Sequence, residues 1–435
     1  MNSKILFFFI FHIFIFLSKP SFAVKVLILS LNALPHYEDF LEEVEPHHRV
    51  LMLPAKKLTQ EEEEPRRLKY RDIFKVENYL ESAEVEQKSK ELYDIHPFDY
   101  IIATDEFDIL RAARLREFLG LPGQQYDSAI AFRDKIVMKS LLEKKGIIVP
   151  RFKKIKSGVD LLEFAKINSF PFVVKPRRGA GSLGTTLIRS EIDLQNLLLR
   201  KGIFNDYHQA KLEAEQFIEG DMYHINGIVV GGKVVACWPS LYITNPISIL
   251  ERDNLSSYLI PSQDPLVRVL NGYAESVLQA LPTPLNTVFH LETFVTQTNE
   301  IIFCEIASRV GGCGVNPSWK ESFGVDLMRE FVRLQGGLSV SEAALNFSYE
   351  PSCISGEVLF PKKKGTVIKV PSECPFSWVK EFKVYSKVGD VLVSPDEVGD
   401  RIADIPLLVA SSKEEFEERM NIANSWFYEN TTIED

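Results

Sequence analysis

Between Val24 and Leu119, short apolar runs of strand length alternate with segments whose apolar residues recur at helical spacing. Strands separated by helices pair in parallel, and such a sheet must be covered on both faces. Val24–Ser30, Arg49–Leu53 and Phe98–Ala103 read as the strands. Asp39–Val44, Asp72–Lys88 and Asp108–Leu119 read as the helices. Loops that follow the strands of a parallel sheet are where ligands collect, so Asn32–His36 and Thr104-Asp105-Glu106 are candidates to line a cleft; structural turns are the alternative.

After Leu121-Pro122-Gly123 the pattern changes. An amphipathic helix over Asp127–Lys145, closed by Gly146, leads to a second helix at Leu161–Asn168. The strand Pro171–Pro176 runs into the loop Arg177-Arg178-Gly179-Ala180-Gly181-Ser182-Leu183-Gly184-Thr185, and Leu187–Ser190 returns beside it, followed by a helix at Glu191–Arg200. Ala214–Ile218 is another strand. Tyr223–Val230 and Lys233–Pro239, joined by Gly231-Gly232, make a hairpin, so this part is antiparallel. A helix over Gly272–Leu281 precedes a second strand pair, Val288–Val295 and Glu300–Ala307, around Gln297-Thr298-Asn299. From Ser355 the runs are mostly strand-like and end in a helix, Ser412–Tyr428. The expected class is therefore α/β followed by α+β. A chain of 435 residues exceeds one core, and the breaks divide it at 24–125, 126–210, 211–345 and 346–435.

Composition narrows the function classes. The chain is 45% hydrophobic and 25% charged with a net charge of −10, which fits neither disorder nor a membrane bundle. With no basic stripe, a nucleic-acid partner held by phosphate neutralisation is not expected. The acidic run Glu61–Glu64 reads as a solvated loop. Cys237, Cys304, Cys313, Cys353 and Cys374 are scattered without metal-ligand spacing, so buried or free thiols are expected. Residues 1–23 have the anatomy of a secretory signal: Lys4, an apolar run from Ile5 to Leu17, then Ser21-Phe22-Ala23. Export, a membrane tether, and translation upstream of the true start all remain open.

The chemistry lies in the second half. Glycines at 179, 181 and 184 let backbone N–H groups approach an anion, and Lys175 stands at the end of the strand before them. The loop lacks the Walker pattern and the dinucleotide fingerprint, and the strand after it makes it a hairpin flap. A plain hairpin turn is the competing reading. Glu292 and Glu305 lie on the two strands of the later hairpin, where both carboxylates can point to one place and share a divalent cation; two exposed strand-end acids are the alternative. Arg309, just before Val310-Gly311-Gly312, can bind a substrate carboxylate in bidentate fashion or take part in a surface ion pair.

Taken together, these segments resemble the ATP-grasp carboxylate–amine ligases. The resemblance rests on Arg133-Asp134-Lys135, Phe172–Pro176 with its glycine loop, Glu215–Gly220, Leu291-Glu292 and Glu305–Gly312, and runs in family order over residues 24 to 430. It implies a parallel-sheet pre-ATP-grasp domain at 24–125, a two-lobed ATP-grasp module (126–210 and 211–345) and a mostly-β lid at 346–435. It further implies that Lys135, Lys175, Gly179, Gly181, Ser182 and Gly184 contact ATP phosphates, and that Glu215, Gln216, Phe217 and Ile218 surround adenine. Glu292 and Glu305 would hold magnesium or manganese, and Arg309 would orient the carboxylate or steady the intermediate. The implied activity is amide formation from a small carboxylate, such as an amino acid, and an amine through an acylphosphate. Bicarbonate activation like that of biotin carboxylases, and an ATP-binding module without turnover, are the alternatives. The implied partners are small molecules and a second copy of the chain, with no nucleic acid and no stable membrane insertion. The need for ATP favours the cytoplasm. Two departures stand out: Ala307 occupies a place where the family often has a metal-binding Asn, and Met222 and Tyr223 stand where a ribose-gripping acid is usual, leaving Glu219 or Asp221 as substitutes. His224 reads as a structural strand residue, and Ser318, Trp319 and Lys320 as either cleft lining or core and surface.

Overall fold

A computed structural model describes residues 24–31, 36–204, 211–244, 246–251 and 253–434. The signal-like segment and most of the Asn32–His36 loop lie outside them. The first sheet is wholly parallel, in the order β3-β2-β1-β4: β1 is Val26–Leu29, β2 Arg49–Pro54, β3 Asp72–Val76 and β4 Tyr100–Ala103. Val26 and Ile28 face one apolar layer while Leu27 and Leu29 face another, which is why the run reads as continuous apolar residues rather than alternating ones.

The second sheet is antiparallel, in the order β5-β8-β6-β7, where β5 is Phe152–Ile155, β6 Phe172–Pro176, β7 Thr186–Ile188 and β8 Leu212–Gln216. Its faces alternate strictly. Phe172, Val174, Ile188 and Ala214 pack against Leu161, Phe164, Leu194 and Leu197 of the helices Gly158–Ile167 and Glu191–Leu199. The opposite face, carrying Val173, Lys175, Glu213 and Glu215, is left for the cleft.

The largest sheet has eight strands. β9 (Asp221–Val230), β10 (Lys233–Thr244), β11 (Leu255–Leu259), β12 (Thr287–Val295), β13 (Ile301–Ala307) and β14 (Ile354–Pro361) build most of it. Of the later strands β15 (Gly365–Lys369), β16 (Val379–Val384), β17 (Val391–Leu392), β18 (Arg401–Ala410) and β19 (Thr432–Glu434), β16 and β18 extend that sheet, and the other three form a small one, β17-β15-β19. The order of the large sheet is β13-β12-β9-β10-β11-β14-β18-β16, so the C-terminal strands continue the ladder that β9 to β13 begin. Helices Leu266–Ala280, Val315–Phe323 and Lys413–Glu429 pack on it around Trp238, Phe289, Trp319 and Phe416.

Four expectations are corrected, the first being Asp39–Val44, where the helix is a single turn at Tyr37–Phe40. Asp72–Lys88 is no helix: Asp72–Val76 is the edge strand β3, and the helix spans Glu84–Ile95. Ile73, Phe74 and Val76 suit either period, and the parallel pairing with β2 decides the outcome. Asp127–Lys145 breaks into Tyr126–Ala131 and Lys135–Glu143, because the Asp134 carboxylate accepts from the N–H groups of Ile136 (3.2 Å) and Val137 (3.4 Å) and starts a new helix. Glu61–Glu64 belongs to a helix, Gln60–Arg66, opened by a reciprocal cap between Thr59 and Glu62. No helix among the described residues is long and apolar enough to cross a membrane.

Candidate active site

Three pieces of sequence meet in a cavity of about 720 Å³ between the four-stranded and eight-stranded sheets. Strand register places the two acids. Glu292 on β12 is the direct partner of Glu305 on β13, so their side chains leave the sheet on one face. The register then slips: Thr293 faces Phe303, which leaves Cys304 as an extra residue in β13. A bulge of this kind re-aims the side chains beside it, and here it brings both Cys304 and Glu305 to the cavity wall. On β12, His290, Glu292 and Phe294 point into the cavity while Phe289 and Leu291 are core.

Opposite the acids stand the lysines. The Lys135 ammonium lies 3.0 Å from Glu305 Oε2 and 3.0 Å from the Gly179 carbonyl, which ties the first turn of its helix to the flap. Burial alone would push the Glu305 carboxyl up. The ammonium groups of Lys135, Lys175 and Lys139 outweigh it and hold the group down at about 2, so Glu305 is an anion at neutral pH. The three residues of Arg133-Asp134-Lys135 do different things. Arg133 pairs with Glu106 at 2.6 Å, Asp134 caps the helix and binds Arg177 at 2.7 Å, and Lys135 faces the cleft.

Behind them is a cluster that the sequence pattern did not reveal. Lys139, one turn after Lys135, is fully buried between Glu213 (2.8 Å) and Glu215, and Lys175 reaches Glu215 at 2.5 Å and Glu213 at 3.9 Å. Burial alone would lower Lys175, but Glu215 and the other surrounding acids carry it well above the usual lysine value. Glu215 therefore sits inside an ion cluster at the cavity wall. The signal was present: Lys135 and Lys139 are spaced i, i+4, and Glu213-Ala214-Glu215 alternates on a strand.

The flap is shaped by its backbone. Gly181, Ser182 and Gly184 have φ near +60° to +71°, a region costly for Ser182 and open to glycine. Gly179, Gly181 and Ser182 line the cavity; Gly184 does not. A Cβ on Gly184 would approach the Pro176 ring at 3.0 Å, so that glycine lets the loop fold back on its strand. Above the flap, Val398 N–H donates to the Gly181 carbonyl at 2.9 Å. Glu215, Gln216, Phe217, Ile218 and Glu219 line the cavity with Met222, whereas Asp221 does not.

Another side of the cavity is built around Arg309. Its Nε donates to the Glu106 carboxylate, which also holds Arg133, so the loop after β4 does reach the cleft. Ser318, Trp319 and Lys320 do not line it: Trp319 is core and Lys320 pairs with Asp326 at 3.3 Å on the surface. Glu292 is oriented by the Tyr242 hydroxyl, which donates to its Oε1 at 3.0 Å, and by His290 Nε2 at 3.5 Å. His224 is interior, bonded to Ser257 (3.1 Å) and Asn226 (2.9 Å).

Among the described residues no three His, Cys, Asp or Glu side chains are grouped to hold a metal unaided. Two opposed carboxylates fit a hard cation that takes its remaining ligands from phosphate oxygens and water, as magnesium does.

The architecture matches solved structures along nearly its whole length. The crystal structure of an L-amino acid ligase from Bacillus licheniformis superposes with a TM-score of 0.73 at 18% identity, covering 95% of this chain and 99% of that one. The chain has the ATP-grasp fold. A carboxyaminoimidazole ribonucleotide synthase from Aspergillus clavatus, solved with ATP, shares that fold at a TM-score of 0.66 and 15% identity over 93% and 98% of the two chains. By sequence, an L-arginine-specific L-amino acid ligase of Bacillus subtilis is 26% identical over 257 residues, 59% of this chain and 62% of that protein. A D-alanine–D-alanine ligase of Clostridium beijerinckii is 27% identical over 179 residues, 41% and 51% of the two. The chain thus spans less than two thirds of the length of these curated relatives. No protein-family model matches it.

Proposed function

We propose that this chain is an ATP- and magnesium-dependent ligase that joins a small carboxylate, an amino acid, to an amine through an acylphosphate. The observation that carries this reading is the pairing of Glu292 with Glu305, facing Lys135 and Lys175 beneath the glycine flap. The names of the relatives support the substrate class.

The side chains divide the chemistry among them. Glu292 and Glu305 would hold the metal, which would supply charge neutralisation at the transferred phosphoryl group. Lys135 and Lys175 place ammonium groups against phosphate oxygens, and the N–H groups of the flap complete the cradle. The segment Gln216–Ile218, where β8 ends and the chain runs along the cavity wall, is the place for an adenine. Arg309, kept in place by Glu106, presents its remaining N–H groups to the substrate carboxylate. The carboxylate takes the terminal phosphoryl group, ADP forms, and the amine displaces phosphate. No protein nucleophile is required. The flap and the Val398 loop cover the cleft and keep water from the acylphosphate.

The test is ADP release from purified protein given ATP, magnesium and pairs of amino acids. Release that requires two added substrates is expected. Release with bicarbonate alone would instead mark the biotin-carboxylase-like chemistry, and ATP binding without release in any mixture would mark a non-catalytic module. Glu305→Gln should lower turnover at least about 100-fold, roughly 2.7 kcal/mol of barrier, while circular dichroism still reads a folded protein. Activity like the unaltered protein in that variant would remove the metal assignment.

A further inference from the structure

One more acid lines the cavity, and it pairs with none of the lysines. Glu357 sits in the middle of β14, directly opposite Ser257 of β11, and both are almost wholly buried. Its two oxygens are held separately: Ser257 Oγ donates to Oε1 at 3.1 Å, and the Gly314 N–H donates to Oε2 at 2.5 Å. Gly314 is required for this approach, since a Cβ there would lie 2.6 Å from the Glu357 side chain and 2.4 Å from the Pro406 carbonyl. The donor that fixes Oε1 is itself fixed. Ser257 bonds His224 Nε2 at 3.1 Å, His224 Nδ1 bonds Asn226 at 2.9 Å, and Asn226 Oδ1 bonds His290 Nδ1 at 2.8 Å, two residues from Glu292. A buried row of polar side chains thus runs from the metal-facing strand to Glu357.

Such an acid is costly to bury and does nothing for the phosphates. No lysine or arginine among the described residues lies within ion-pair distance of it. The charged and titratable groups around it are Arg401 and Asp404 on β18, Cys313 beside Gly314, Tyr242 on β10 and His224 on β9. What this part of the cleft lacks, once an acylphosphate has formed beside Arg309, is a partner for the incoming amine. A primary amine at neutral pH arrives as an ammonium ion, which has no lone pair to attack with.

We infer that Glu357 receives the attacking substrate's ammonium group and takes one proton from it. The inference rests on the ligase reading above. The nitrogen then attacks the acyl carbon, the new C–N bond forms, and the C–O bond to phosphate breaks with its electron pair leaving on phosphate. The nitrogen's second surplus proton passes to the departing phosphate, and Glu357 returns its own to water when the product leaves. Burial, offset by the two donors and with Asp404 opposing Arg401, lifts the Glu357 carboxyl to about 7, where it can both hold and release a proton near neutral pH. The nucleophile is therefore a primary amine that enters charged, such as a second amino acid.

Hydroxylamine separates the two half-reactions, because it is uncharged at neutral pH and traps an acylphosphate without a base. Wild-type protein with ATP, magnesium and a panel of amino acids should form both hydroxamate and amide. Glu357→Gln keeps an oxygen for the Gly314 N–H and should form hydroxamate within about twofold of wild type. Its amide formation should fall about 100-fold near pH 7 and recover in part near pH 9, where more amine is free. Amide formation at the wild-type rate, or equal loss of both products with the melting temperature unchanged, would overturn the assignment. Wild-type protein that forms neither product would instead overturn the ligase reading. If Glu357→Gln does not fold, Ser257→Ala decides: losing one donor should move the acid limb of amide formation to higher pH and leave hydroxamate formation alone. An unmoved limb overturns the inference.

Discussion

Replacing Lys139 by methionine keeps the length of the side chain but removes one of four charges in the cluster behind Lys135. At 2.8 Å and an effective dielectric constant of about 20, the Lys139 ammonium attracts Glu213 by about 6 kcal/mol. Lys175, at 3.9 Å, offers the same carboxylate about 4 kcal/mol but is shared with Glu215. Losing one partner of a buried pair costs about 3–5 kcal/mol after relaxation. The cost must depend on pH. Burial already pushes the Glu213 carboxyl above its ordinary value, against the pull of Lys139, so without Lys139 it rises further. Below the unfolded value, near 4.5, both states are protonated and the penalty vanishes; above the folded value it is complete. Between the two, stability falls by up to about 1.4 kcal/mol per pH unit as pH rises. Hydrogen exchange at the amides of β6 and β8, measured near pH 5.5 and near pH 8 and corrected for intrinsic rates, reads the local opening free energy. Protection lost equally at both pH values, or not lost at all, would refute the reasoning.

Tyr242→Phe removes the hydroxyl that orients Glu292 and should weaken manganese binding in the presence of nucleotide about tenfold, measured by paramagnetic resonance; unchanged affinity would show that Glu292 needs no such support. Gly227→Ala places a methyl group 2.4 Å from the Ala236 carbonyl and 2.6 Å from the Phe289 ring, and should cost about 1–3 kcal/mol in thermal or urea unfolding. Gly272→Ala, with nothing within 4 Å and a helical position in Leu266–Ala280, should raise stability by up to about 1 kcal/mol in the same assay.

The elements that sequence revealed best are those whose pattern has one explanation. Asp108–Leu119 forms with the expected bounds because its apolar spacing has only the helical period, and Gly120 closes it at a φ of +68°. The Gly231-Gly232 hairpin and the Glu292–Glu305 pairing were legible for similar reasons: turn residues fixed the one, and strand alternation on both sides of Gln297-Thr298-Asn299 fixed the other. Asp72–Val76 failed because four or five apolar-rich residues suit either period and only the neighbouring strand selects one. The break at Asp134 was hidden because a carboxylate that caps a helix looks, in sequence, like one more polar residue on its outer face. Lys139, Tyr242 and Glu357 escaped notice as site residues for a different reason. Each acts through partners more than 40 positions away, and no local spacing announces contacts of that range.

The continuous ladder from β13 to β16 decides which part of the molecule can swing. Turning the C-terminal strands against β9 to β13 would break the rows of backbone bonds that join β11 to β14 and β14 to β18. The four strands β5 to β8 share no ladder with that sheet and carry the flap with them. A rigid-body closing of the cleft is thus open to the smaller jaw, which no backbone ladder ties to the larger, and closed to the C-terminal strands.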